Sequence, residues 1–80
     1  MISPRVAKVM PESDYFLSIT FTDGKTKRFD VKPYLEIGLF KELKDLNIFN
    51  SVKEFLGSVQ WSNGLDLCPD TLYLESRSEL

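Results

Sequence analysis

The stretch that most constrains this chain is Asp14 to Val31, DYFLSITFTDGKTKRFDV. Tyr15, Leu17, Ile19 and Phe21 alternate with Phe16, Ser18, Thr20 and Thr22, and a side-chain period of two marks a strand buried on one face. Asp23-Gly24 interrupts the run, and Phe29 and Val31 then return on one face, so the segment reads as a β-hairpin. Register decides the loop. A two-residue Asp23-Gly24 loop would set Ser18 opposite Phe29 and leave an aromatic ring on the polar face. A three-residue loop, Thr22-Asp23-Gly24 with Gly24 left-handed, sets Leu17 opposite Phe29 and Tyr15 opposite Val31. A slip of one residue would turn every side chain to the wrong face, so the three-residue loop is expected.

Arg5 to Met10 (RVAKVM) is β-branched enough for a preceding strand, with a turn over Pro11 to Asp14. Its imperfect alternation leaves open which of Val6 and Val9 points inward. A three-stranded meander with one apolar face needs a cover. Pro33-Tyr34-Leu35 can open a helical turn and Gly38 can end it. Leu39 to Leu46 sets Leu39, Leu43 and Leu46, and also Phe40 and Leu43, at helical spacing. Phe49 to Glu54 and Ser58 to Trp61 flank Phe55-Leu56-Gly57 and read as a second hairpin, with Val59 and Trp61 inward and Gln60 outward. Pro69 to Glu75 is either a short helix or an irregular extension, and Arg77 to Leu80 is expected to fray. The class is α+β: an antiparallel three-stranded meander plus a second β-hairpin, short helices packed on the sheet, one domain over residues 1–80.

A chain of 80 residues buries only about 60–65% of its unfolded surface, and cores this small usually need a metal, disulfides or a partner. With no histidine and one cysteine, an internal disulfide and the common zinc sites are excluded. Oligomerisation is the help that remains, and the size argument points to a homodimer. A lone Cys68 suits a reducing cytosol. No apolar run approaches the roughly 20 residues that span a bilayer, and the N-terminus lacks a signal-peptide shape. A soluble, cytoplasmic protein is expected, without membrane contact. The net charge of −2 disfavours nucleic-acid binding.

The densest cluster of chemistry-bearing residues is VQWSNGLDLCPD, Val59 to Asp70. In a functional reading Trp61 offers a stacking face, and Asn63, Asp66 and Asp70 offer polar groups around a pocket. In a structural reading Asn63-Gly64 supplies the positive φ angles of a tight turn. Trp61 then fills the core and bonds through its indole N–H, Asp66 bonds backbone amides beyond the turn, and Pro69 opens the next element. Cys68 has no histidine to activate it and reads as a small apolar filler. Asp66 and Asp70 could pair as acid and base or bind Mg²⁺, but twelve acids in this chain produce such spacings by chance. Lys25, Lys27 and Arg28 could carry a ribbon into a DNA groove, or keep an exposed strand soluble. Lys25 and Lys27 fall on Phe29's side, where their stems could cap the core. Phe16 points away from Leu17 and Ile19, towards another chain or under the C-terminal segment. No catalytic residue, cofactor or metal ligand is assigned.

Several segments together carry a resemblance. A strand ends in Phe21-Thr-Asp-Gly24, and Asp30 to Leu35 follows as Asp-x-x-Pro-Tyr-Leu. Trp61 to Leu67 reads Trp-x-Asn-Gly-x-Asp-Leu, and Pro69-Asp70 and Leu72-Tyr73 come last. In order and spacing the chain resembles the domain of unknown function 2442, a family of small bacterial proteins. The resemblance implies a compact α+β domain and bacterial origin, with no established activity or catalytic residues. Some members of that family stand beside other small proteins as toxin–antitoxin pairs do. Others add a helix-turn-helix domain, which is not expected within these residues. The reading that follows is a non-enzymatic protein–protein interaction module, an antitoxin-like or regulatory partner, with Phe16, Trp61, Asn63, Asp66 and Asp70 as the candidate contact residues. The alternatives are a ligand-binding protein or enzyme using Trp61, Asp66 and Asp70, and a nucleic-acid binder using Lys25, Lys27 and Arg28.

Overall fold

In the computed structural model, residues 4–78 are described. The alternating segment forms the centre of an antiparallel meander of β1 (Val6–Glu12), β2 (Phe16–Phe21) and β3 (Thr26–Asp30). Leu17 pairs with Phe29, as the three-residue loop requires. Phe21 N–H donates to Lys25 O at 2.8 Å, Gly24 N–H donates to Phe21 O at 2.9 Å, and Gly24 has φ +89°. The uncertain alternation of β1 has a structural cause. A bulge between Val6 and Lys8 shifts the register by one residue, so Val6 and Val9, three apart, both reach the core.

The β1–β2 turn lies later than the sequence suggests. Pro11 and Glu12 continue β1, where an edge strand tolerates proline. The chain reverses over a 3₁₀ turn, Ser13–Tyr15, with Asp14 and Tyr15 both at φ +62°. Tyr15 therefore lies outside β2, yet its carbonyl still accepts from Val31 N–H at 3.0 Å. Its ring meets Phe49 edge-on at 5.1 Å, and its hydroxyl donates to Lys44 O at 2.6 Å.

The middle of the chain is helical but tighter than an α-helix. Lys32–Tyr34 and Gly38–Lys44 are 3₁₀ turns, and Gly38, at φ +49°, opens the second rather than ending the first. With three residues per turn, Phe40 and Leu43 face the core together while Leu39 is exposed. Leu46 is exposed as well, because the 3₁₀ segment ends at Lys44, Asp45 is extended, and Leu46 opens a separate short helix. An α-helical period would have buried all of Leu39, Leu43 and Leu46. Phe49 is not in a strand. It ends a short helix, α1 (Leu46–Phe49), whose N-cap Asp45 accepts from Asn47 N–H at 2.9 Å.

The second hairpin is β4 (Lys53–Phe55) and β5 (Ser58–Gln60). A third strand, β6 (Asp66–Leu67), pairs with β5 and makes this sheet three-stranded. The tail is α2 (Pro69–Glu75), opened by proline, followed by β7 (Arg77–Ser78). Rather than fraying, β7 adds to β3 and gives the first sheet the order β1-β2-β3-β7. Residues 79 and 80 of the tail lie outside the described residues. One apolar cluster joins the whole α+β structure: Leu17, Ile19, Phe21 and Phe29 from the first sheet, Leu43 and Phe49 from the middle, Val59 and Trp61 from the second sheet, and Leu72 from α2.

Candidate functional site

Trp61 is 1% exposed, and its indole N–H donates to Phe49 O at 3.2 Å. It locks the second sheet to α1 and presents no stacking face. Asn63 closes the turn: its Oδ1 accepts from Leu65 N–H at 3.1 Å, and its Nδ2 donates to Glu42 Oε1 at 2.9 Å. Only Gly64 of the Asn-Gly pair has positive φ, at +90°. Asp66 is exposed on β6, and its carboxylate makes no hydrogen bond among the described residues, so it does not bond the amides beyond the turn. Asp70 sits in the first turn of α2, where a carboxylate complements the helix dipole. Trp61 is buried, and neither the cleft beside Phe16 nor the cleft beside Leu56 brings it together with Asp66 and Asp70.

Phe16 occupies the outer face of the first sheet, beneath Arg28 Cζ at 4.3 Å and Lys32 Nζ at 4.0 Å from its ring centre. It lines a cleft of about 360 Å³ with Asp30, Tyr34, Glu75 and Arg77, so the C-terminal segment shares its surroundings. Tyr34 donates to Glu75 Oε1 at 2.5 Å. That bond, with burial and the carboxylate's charge, pushes the phenol up to about 12. The basic strand does not form one surface. Lys27 and Arg28 point to opposite faces: Lys27 Nζ donates to Tyr73 O at 3.0 Å and lies 3.7 Å from that ring's centre, while Arg28 pairs with Glu12 at 3.0 Å.

The feature that sequence reasoning passed over is the β4–β5 tip. Its loop is two residues, Leu56-Gly57, with φ +52° and +83°. Positive φ at both positions is the turn that matches strand twist, and Asn, Asp or Gly normally supplies it. A leucine in the left-handed region costs roughly 1–2 kcal/mol. Here that leucine is also 74% exposed. Three bonds clamp the turn. Arg5 Nη2 donates to Leu56 O at 2.5 Å, Glu54 Oε2 accepts from Gly57 N–H at 2.7 Å, and Val6 N–H donates to Gly57 O at 2.8 Å. The Arg5 side chain packs so closely on Gly57 that a Cβ there would lie 2.2 Å from Arg5 Nε.

Beside the tip lies a cleft of about 270 Å³, walled by Phe55, Leu56, Leu67 and Pro69, with Arg5 and Asp66 among its polar residues. Cys68 also lines it, as an exposed thiol rather than a core filler. Hydrogen bonds from the Thr71 side chain and backbone hold that thiol below its ordinary value, against the opposing charge of Asp70. The signal in the sequence is Phe55-Leu56-Gly57 itself, an apolar pair where turn chemistry calls for a polar residue before glycine. Among the described residues, no three His, Cys, Asp or Glu side chains gather as metal ligands would.

Fold and site together define a small two-sheet α+β protein with an apolar knob-and-cleft at one hairpin tip. The chain belongs to the family described as "Protein of unknown function (DUF2442)", which it matches over residues 6–78. No curated protein and no solved structure gave a match. Among the described residues no helix is long and apolar enough to cross a membrane.

Proposed function

We propose that this chain is a non-enzymatic protein–protein interaction module, an antitoxin-like or regulatory partner acting in the bacterial cytoplasm. The observation that carries the reading is Leu56. A bulky apolar side chain held in a strained conformation, clamped by three hydrogen bonds and left 74% exposed, is stabilised when another protein covers it. Its surroundings have the make-up of an interface: an apolar centre of Phe55, Leu67 and Pro69, with the charges of Arg5 and Asp66 beside it. Trp61 is buried, and the cleft that Asp66 lines includes neither Trp61 nor Asp70, which favours an interaction surface over a small-molecule site built on those three residues.

The test is affinity capture from host extract with wild-type and Leu56→Asn baits, followed by mass spectrometry. Asparagine suits the turn's positive φ, so the variant removes the apolar knob and keeps the hairpin. A protein retained in fixed ratio by the wild type and lost by the variant is the expected result. Identical retention by both baits would overturn the reading.

A further inference from the structure

We infer that the protein that covers the tip is a second copy of this chain, with Leu56 of each copy seated in the cleft of the other. This rests on the interaction reading above and names its partner. Knob and hole lie side by side on one surface, which is the arrangement a two-fold interface needs, since a contact of one residue with another is then repeated in reverse. The sizes agree. A cavity of about 150 Å³ holds a benzene ring, and the cleft of about 270 Å³ has room for an isobutyl group. The charges agree as well. Arg5 spends one N–H on Leu56 O and keeps further donors of its five, while the Asp66 carboxylate has no partner among the described residues. Both groups line the one cleft, so a two-fold axis passing between them would set each cation against the opposite copy's carboxylate. Shape and charge are thus complementary to the same surface, and an 80-residue chain gains core by doubling.

The purified full chain is measured by light scattering from about 10 µM to about 1 mM, the range in which mass action populates a modest dimer. The wild type should rise from 9.2 kDa towards twice that mass. Leu56→Asn should stay monomeric. Compared under dilution, with both proteins monomeric, Leu56→Asn should melt about 4 °C higher because the backbone strain is relieved. That rise separates loss of an anchor from loss of the fold. Asp66→Lys sets a cation against Arg5 of the other copy and should weaken association at least tenfold, or about 1.4 kcal/mol, with its dilute melting point unchanged. Cys68 lines the same cleft, so its alkylation should slow as the dimer forms. A wild type that remains monomeric at the highest concentration overturns the inference, as does a Leu56→Asn variant that associates normally, a dimer untouched by Asp66→Lys, or alkylation independent of concentration. If the purified chain stays monomeric while Leu56-dependent capture finds another protein, self-association fails and the interaction reading stands. If capture is also independent of Leu56, both fall.

Discussion

At Trp61 two roles that compete on paper become one. The side chain fills the core, and its only polar atom reaches the carbonyl that ends α1. Trp61→Phe should cost about 1 kcal/mol for the lost hydrogen bond, and Trp61→Ala about 3–5 kcal/mol for the cavity. Urea titration followed by far-UV circular dichroism would measure both. Since small domains are stable by only about 5–15 kcal/mol, the alanine variant should stand close to unfolding. This residue was legible in the sequence because an inward position on an alternating strand and a single indole N–H leave few choices. Leu56 was not. Its side chain type argues for burial, and its backbone conformation is imposed by a two-residue loop that only the pairing of Phe55 with Ser58 reveals.

At the scale of elements, two loops use one design. Phe21-Thr-Asp-Gly-Lys25 and Trp61-Ser-Asn-Gly-Leu65 each close with a first-to-fifth backbone bond, a fourth-to-first bond and an Asp or Asn oxygen accepting from the fifth amide. Gly24 and Gly57 separate two reasons for a glycine. A Cβ at Gly24 meets nothing within 4 Å, whereas at Gly57 it meets Arg5. Gly24→Ala should cost about 1 kcal/mol, the penalty of left-handed backbone. Gly57→Ala should cost more, because it also displaces the guanidinium from Leu56 O; thermal melts of the two variants would rank them. A second element-level prediction concerns α2. The Tyr34 phenol titrates at about 12 in the fold against an ordinary 10.0. A raised value means that the Tyr34–Glu75 bond stabilises fully below pH 10 and is lost as pH rises towards 12. Denaturant titrations across that window should show falling stability in the wild type, and Tyr34→Phe should remove this component of the decline.

At the scale of the whole molecule, the two sheets are not independent. Their inward residues belong to one apolar cluster, and β1 joins them directly through Val6 N–H and Gly57 O. Unfolding should therefore be a single transition. Far-UV circular dichroism, which reports both sheets, and fluorescence of the sole tryptophan, which reports the second, should give the same urea midpoint. Two separated midpoints would mean that the second sheet opens on its own. The same cluster explains why β7 holds: Leu72 is fully buried and Tyr73 meets Phe21 edge-on at 4.9 Å, so α2 delivers the chain to the edge of β3.

The sequence by itself determined the α+β class, the central hairpin with its register, the inward set of Leu17, Ile19, Phe21, Phe29, Val59 and Trp61, and the turn role of Asn63-Gly64. These follow from local periodicity and from backbone angles that few residues adopt. Tertiary structure decided the bulge in β1, the 3₁₀ form of the middle, the pairing of β6 and β7, and the display of Leu56 beside a cleft assembled from residues 5, 55, 56, 58 and 66–69. Each of those depends on contacts between segments far apart in the chain, whose free energy outweighs the local preference and leaves no periodic trace in the sequence.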